Sequence, residues 1–231
     1  MKIGIFTDPH YSTRLSHIDT RNYSASLTKI GEAYDYFRKE GCDLAVCLGD
    51  LADSDGSLEK ELENIARVGQ VIRQSGIPTV CLMGNHDAFA LTPEQFYSAL
   101  GLDRPSDVRA DGKTLMFLDF CYFGNGEHYA LGDSDWENCF YPDESGLGER
   151  LSACEGEVYI FSHQNVDPAV KQNHRISNAD SLFDLINQSG RVKCVFQGHF
   201  HPGMESEYEG VKYVTLPAMC EHDGAFAIYE I

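Results

Sequence analysis

The sequence predicts an α/β fold with a mostly parallel sheet in its first half and mixed strand pairing in its second. Three observations carry this. Short apolar runs alternate with longer segments of helical spacing through the first hundred residues. Those early runs are apolar nearly throughout, as strands covered on both faces are. The later runs include closely spaced ones joined by glycine-containing turns, which favour hairpins.

Taken in order, Lys2 to Thr7, Asp43 to Leu48 and Pro78 to Met83 read as buried strands. Between them, Ser24 to Glu40 and Leu58 to Gln74 read as helices. The first places Leu27, Ile30, Ala33, Tyr34 and Phe37 on one face. A βαβαβ order of this kind implies parallel pairing. Further strands are expected at Thr114 to Phe120, Glu157 to Ser162, Val192 to Gln197, Lys212 to Leu216 and Ala225 to Glu230, with a helix at Asn178 to Gln188 and a turn at Glu209-Gly210. The stretch Gly124 to Glu157 is polar, acidic and glycine-containing and holds Trp136, the single tryptophan; it reads as a long loop or small cap inserted at about 124–157. No repeat or linker divides the chain, so its 231 residues are taken as one domain.

Charge narrows the partners. With 36 Asp and Glu against 18 Lys and Arg, the formal net charge is −18. Such a surface repels nucleic-acid phosphates and anionic lipid, so neither a long nucleic acid nor a membrane is an expected partner, and a phosphate-bearing ligand needs a local source of positive charge. No apolar run exceeds about five residues, against the roughly 18 of a membrane span. The N-terminal apolar stretch is short and ends at Asp8, unlike a signal peptide, so a cytoplasmic location is expected. Eight cysteines without a Cys-x-x-Cys pair do not make a disulfide scaffold; Cys47, Cys81 and Cys194 lie in apolar runs and read as core thiols.

Five strand ends carry the chemistry. Each apolar run leads directly into residues that ligate metals: Asp8-Pro9-His10, Gly49-Asp50-Leu51-Ala52-Asp53, Gly84-Asn85-His86-Asp87, Ser162-His163 and Gly198-His199-Phe200-His201. In α/β sheets the carboxyl ends of strands gather along one edge, so five separated segments can converge. Asp, Asn and His supply oxygen and imidazole nitrogen without thiolate, a set suited to Mn, Fe or Zn. Seven candidate ligands exceed the needs of one ion, and Asp50 can bridge with two carboxylate oxygens, so a two-metal centre is expected. The glycines at 49, 84 and 198 are expected to let the backbone turn sharply. Asp53 reads as a partner of a ligand histidine. His17, His128, His174 and His222 have no partner spacing and default to surface or loop roles.

This ordered set resembles the calcineurin-like metallophosphoesterase superfamily over residues 8 to 201. The resemblance implies a four-layer α/β/β/α sandwich with two mixed sheets and a site at its edge. It implies that Asp8, His10 and His201 hold one divalent transition-metal ion, that Asn85, His163 and His199 hold the other, and that Asp50 bridges them. His86 resembles the superfamily's non-ligand histidine, which contacts phosphate or protonates the leaving group, with Asp87 orienting it. The implied reaction is in-line attack of a metal-bridging hydroxide on phosphorus in a small phosphodiester or nucleotide-type diphosphate. A phosphomonoesterase on the same site, or a non-catalytic interaction scaffold, are the alternatives. The arginine that follows Gly-Asp in some phosphatases of the superfamily is absent after Asp53-Ser54. Arg21-Asn22-Tyr23-Ser24-Ala25-Ser26-Leu27, with Gly198-His199-Phe200-His201-Pro202-Gly203 and Gly210-Val211-Lys212-Tyr213, more distantly resembles the manganese-dependent ADP-ribose/CDP-alcohol diphosphatase branch.

Overall fold

The computed structural model describes residues 1–13, 20–129 and 140–231. Trp136 and His17 lie outside the described residues, as does the middle of the stretch at 124–157.

The first strand shows how the layers arise. In β1 (Lys2–Phe6), Ile3 and Ile5 face one side while Gly4 and Phe6 face the other, the period-2 alternation of a strand. Ile3 and Ile5 join Val46, Leu48, Leu82, Leu115, Phe117, Phe161, Phe196 and Val214 in one buried layer. Phe6 packs instead with Tyr34 and Phe37 of α1 (Ser26–Glu40). Gly4 leaves the space that the Phe37 ring fills, since a Cβ there would collide with it. α1 ends at Gly41, whose φ of 70° closes the helix in the left-handed region.

Two sheets follow from the same logic. The first has four strands in the order β10-β1-β2-β3, with β2 (Leu44–Cys47) and β3 (Thr79–Cys81) parallel to β1, and β10 (Phe226–Glu230) antiparallel to it. The second has six strands in the order β4-β5-β6-β7-β9-β8. Here β5 (Lys113–Phe117), β6 (Glu157–Phe161), β7 (Val192–Gln197) and β9 (Val211–Thr215) are parallel, while β4 (Val108–Ala110) and β8 (Met204–Tyr208) pair antiparallel at the edges. Phe117, Phe161 and Phe196 stack across β5, β6 and β7 with successive ring centroids 5.1 Å apart, facing the first sheet. Helices cover both outer faces, α1 and α2 (Leu58–Gln74) on the first sheet and α5 (Glu144–Ser152) and α6 (Ala179–Gln188) on the second. The four-layer α/β/β/α sandwich with two mixed sheets is therefore the observed architecture.

The structure sharpens the sequence reading in several places. The second half is less different from the first than expected, because β5, β6, β7 and β9 form a parallel core of their own. The Glu209-Gly210 turn does join an antiparallel hairpin, with φ of 52° and 82° at its two residues. Two short helices, α3 (Asn85–Ala90) and α4 (Pro93–Leu100), were not anticipated. A third, α5, falls within the stretch expected to be loop or cap. The seven cysteines among the described residues are free, and Cys47, Cys81 and Cys194 are buried as expected. No described helix is long and apolar enough to cross a membrane.

Candidate metal centre

Parallel strands end at one edge of the sandwich, and the residues just beyond them meet there. Asp8 follows β1, Asp50 follows β2, Asn85 and His86 open α3 after β3, His163 follows β6, and His199 and His201 follow β7. Backbone hydrogen bonds stitch these ends together: Asp8 N to Gly49 O at 3.1 Å, His10 N to Asp50 O at 3.0 Å and Gly198 N to His163 O at 2.9 Å. The chain is bent hard to do this. Asp8, His10, Asp50 and His199 have φ of 52°, 48°, 52° and 65°, a region costly for residues with a Cβ and concentrated at functional sites.

The three glycines play different parts. Gly49 turns sharply, with φ of 121°. Gly84 and Gly198 do not; they are there for close approach. A Cβ on Gly84 would strike the Asp50 carboxylate, and one on Gly198 would strike Thr7 and Asp8.

Two donor clusters result. In the first, Asp8 Oδ1 lies 3.6 Å from His10 Nε2 and 3.5 Å from His201 Nε2. In the second, His163 Nε2 lies 3.2 Å from Asp50 Oδ2 and 3.3 Å from Asn85 Oδ1, and the His163 and His199 rings meet at 5.1 Å. Asp50 Oδ2 is also 3.6 Å from His10 Nε2, so it faces both clusters. Asp50 Oδ1 accepts the His86 amide N–H at 2.8 Å, so a bridge would use one carboxylate oxygen rather than the two expected from the sequence.

The donors fit divalent cations. Asp8 Oδ1 and both ring nitrogens of His10 are buried without a hydrogen-bond partner. Lone pairs so placed are costly unless something else takes them. Ligands held about 2.1 Å from one ion lie roughly 3 Å or slightly more from each other, close to the separations found here. The set is oxygen and imidazole nitrogen, with no thiolate among these donors.

The charges support one another. Burial alone would raise the Asp8 carboxyl, but His163, His10 and His201 hold it well below its usual range. Asp50 is likewise kept ionised against burial by His163 and His86. Burial pushes His10 down to about 4, whereas His163 rises to about 9 because Asp50 and Asp8 outweigh its burial.

Around the clusters stand further residues, some from the same motifs and some from outside them. His86 Nδ1 lies 2.9 Å from Asp53 Oδ1, which turns the other ring nitrogen, Nε2, away from Asp53. Asp53 therefore partners His86 first; its contact with His10 is longer, at 3.7 Å. Asp87 does not orient His86 as expected. Its carboxylate accepts main-chain N–H groups of Leu51 at 3.0 Å and Gly84 at 3.0 Å, tying the two loops together, and burial with nearby Asp50 raises it to about 7. Arg21 reaches the same edge from the loop after β1, with Nη1 3.0 Å from Asp53 Oδ2. His174, expected on a surface loop, packs its ring 5.4 Å from that of His199. His128 pairs with Asp119 at 3.2 Å instead. Sequence spacing gave no signal for Arg21 or His174, since neither belongs to a strand end.

A two-sheet sandwich with paired oxygen and nitrogen donor clusters at one edge fits a metallophosphoesterase. A family model, calcineurin-like phosphoesterase, matches residues 1–203, and the chain belongs to that family. A probable cyclic nucleotide phosphodiesterase of Psychrobacter arcticus is 26% identical over 193 residues, covering 78% of this chain and 64% of the relative. Another, of Psychrobacter sp. (strain PRwf-1), is 24% identical over 235 residues, covering 91% and 62%. The chain thus spans a little under two thirds of the length of these curated relatives. A crystal structure of a dimetal phosphatase from Danio rerio shares the fold with a TM-score of 0.84 at 18% identity, covering 98% of this chain and 91% of that one.

Proposed function

We propose that the chain is a dimetal-dependent hydrolase of a small phosphodiester or nucleotide-type diphosphate. The observation that carries this is Asp50 Oδ2, a buried carboxylate oxygen facing both donor clusters at once. Asp8, His10 and His201 would hold one divalent ion, Asn85, His163 and His199 the other, and Asp50 both, with Mn, Fe and Zn all suited to the set. Bound there, such ions supply Lewis-acid polarisation of a phosphoryl group and activation of the attacking water.

The chain's own residues do the rest. With its Nδ1–H held by Asp53, His86 carries a second proton on Nε2 in its imidazolium form, and that proton passes to the departing oxygen or hydrogen-bonds the phosphoryl group. Burial would strip that charge, but Asp50 and Asp53 outweigh it and raise the His86 pKa. Arg21, held by Asp53, supplies the local cation that the motif after Gly-Asp lacks and grips a substrate phosphate oxygen. The acidic chain disfavours long polyanions, which points to a small substrate. Diester over monoester is supported by the phosphodiesterase names of the two relatives.

The test is direct. The purified chain loaded with Mn²⁺ should carry two ions and hydrolyse bis(p-nitrophenyl) phosphate faster than p-nitrophenyl phosphate. Asp50→Asn should lower kcat by at least about 100-fold with an unchanged circular dichroism spectrum, because the shared ligand has no substitute. A folded, metal-loaded chain inert toward diesters, diphosphates and monoesters alike would refute the reading.

A further inference from the structure

Residues 218–221 lie beyond the stretch matched by the family model, yet they close around the first donor cluster. Ala218 N donates to His201 O, Met219 N to Thr7 O and Cys220 N to Asp8 O, each at 3.0 Å, while Cys220 O accepts from Asn22 N at 2.9 Å. Lys29 Nζ clasps the same segment through Met219 O at 3.0 Å. One side chain of this segment reaches a ligand position: Glu221 Oε1 lies 2.7 Å from His201 Nδ1, and both side chains are more than four-fifths buried, at 17% and 15% exposed.

We propose that Glu221 is the positioning residue that sets the affinity of the first cluster for its cation. This rests on the dimetal reading above. An imidazole offers one lone pair to a metal only when its other nitrogen carries the proton, and the partner of that proton decides which nitrogen is which. Glu221 accepts from Nδ1–H, so His201 presents Nε2, the atom 3.5 Å from Asp8 Oδ1. A carboxylate in this place also makes the ligand nitrogen more basic, and removing such a partner typically weakens metal binding by about 10–100-fold. In the second cluster the corresponding nitrogen of His163 faces a main-chain oxygen, Leu48 O at 3.1 Å, which no substitution of side chain removes. His201, Cys220 and Glu221 each offer a donor atom within 4.8 Å of the others, enough to form a donor set of their own, so a ligand role for Glu221 is the competing outcome.

The experiment titrates Mn²⁺ into the metal-free full chain by competition with a chromophoric chelator, for wild type, Glu221→Ala and Glu221→Gln. Glu221→Ala should weaken one of two sites by about 10–100-fold and leave the other unchanged, with kcat recovered as Mn²⁺ is raised. Glu221→Gln, whose amide oxygen still accepts but carries no charge, should fall between the two. If Glu221→Ala fails to fold, Glu221→Gln carries the test alone. Wild-type affinity at both sites in the folded variant overturns the proposal, and so does a third wild-type ion that the substitution removes. A wild-type chain that binds no Mn²⁺ would instead sink the dimetal reading itself.

Discussion

The cluster of Asp8, His10 and His201 and the cluster of Asp50, Asn85, His163 and His199 offer similar donors, yet the chain braces them differently. Around the first, carboxylates from elsewhere in the sequence face the imidazole rings: Glu221 on His201, and Asp53 between His10, His86 and Arg21. Around the second, the ring is faced by the backbone itself, Leu48 O on His163 Nδ1, while the Asp87 side chain fastens main-chain N–H groups of two loops nearby. The first cluster also reaches solvent at His201, whereas His163 is fully buried. Side-chain bracing can be tuned one substitution at a time. Backbone bracing is fixed by the fold.

That contrast can be broken on the side-chain half. The largest effect is expected from His86→Ala, which should lower kcat by about 100-fold or more, the size of a lost general acid, while metal content stays at wild type. Asp53→Asn should shift kcat in the same direction by less, since the ring remains but loses its charged partner. Next is Arg21→Ala. Losing one charge-assisted contact should raise KM for a phosphodiester by about tenfold with kcat nearly unchanged, as steady-state kinetics would show. If KM stays put, Arg21 serves only to hold Asp53.

The smallest effect concerns stability rather than rate. Asp55 fastens the loop after His10 by accepting from Thr13 N at 3.0 Å, Thr13 Oγ1 at 2.8 Å and Asn64 Nδ2 at 2.7 Å, as well as from Ser12 Oγ. Burial alone would raise its carboxyl, but these donors bring it down to about 2. The folded value lies below an unfolded value of about 3.9, so the stabilisation is complete above that pH and is lost as pH falls toward 2. Asp55→Asn should cost about 1–2 kcal/mol in urea unfolding at pH 7 and flatten that acid limb.

Much of the fold was legible because hydrophobic period and strand burial speak locally. α2 was bounded in sequence as it is in the structure, with Ser57 accepting from Lys60 N at its start. The five ligand-bearing strand ends were legible for the same reason, since each apolar run abuts its ligand in sequence. α4 carried a signal that went unread: Thr92-Pro93-Glu94-Gln95 is a capping box with proline in the first turn. α5 was harder, because Gly146 and Gly148 dilute its helical pattern. Glu221 gave no local signal, and Arg21 stood only within the stretch of the more distant resemblance, with no role assigned to it. They acquire meaning only when tertiary structure lays Glu221 against His201, 20 positions away, and Arg21 against Asp53, 32 positions away.

The His199 amide donates to Asp8 Oδ2 at 3.1 Å across a separation of 191 residues, and Ile231 N bonds Met1 O at 3.0 Å across 230. A ribosome releases β1 before either its β10 partner or the His199 amide, which follows Asp8 by 191 residues. Loops this long are slow to close. Asp8 has His10 beside it from the start but gains His199 and His201 only once β7 of the second sheet has been made, so the first cluster is completed when the two sheets join.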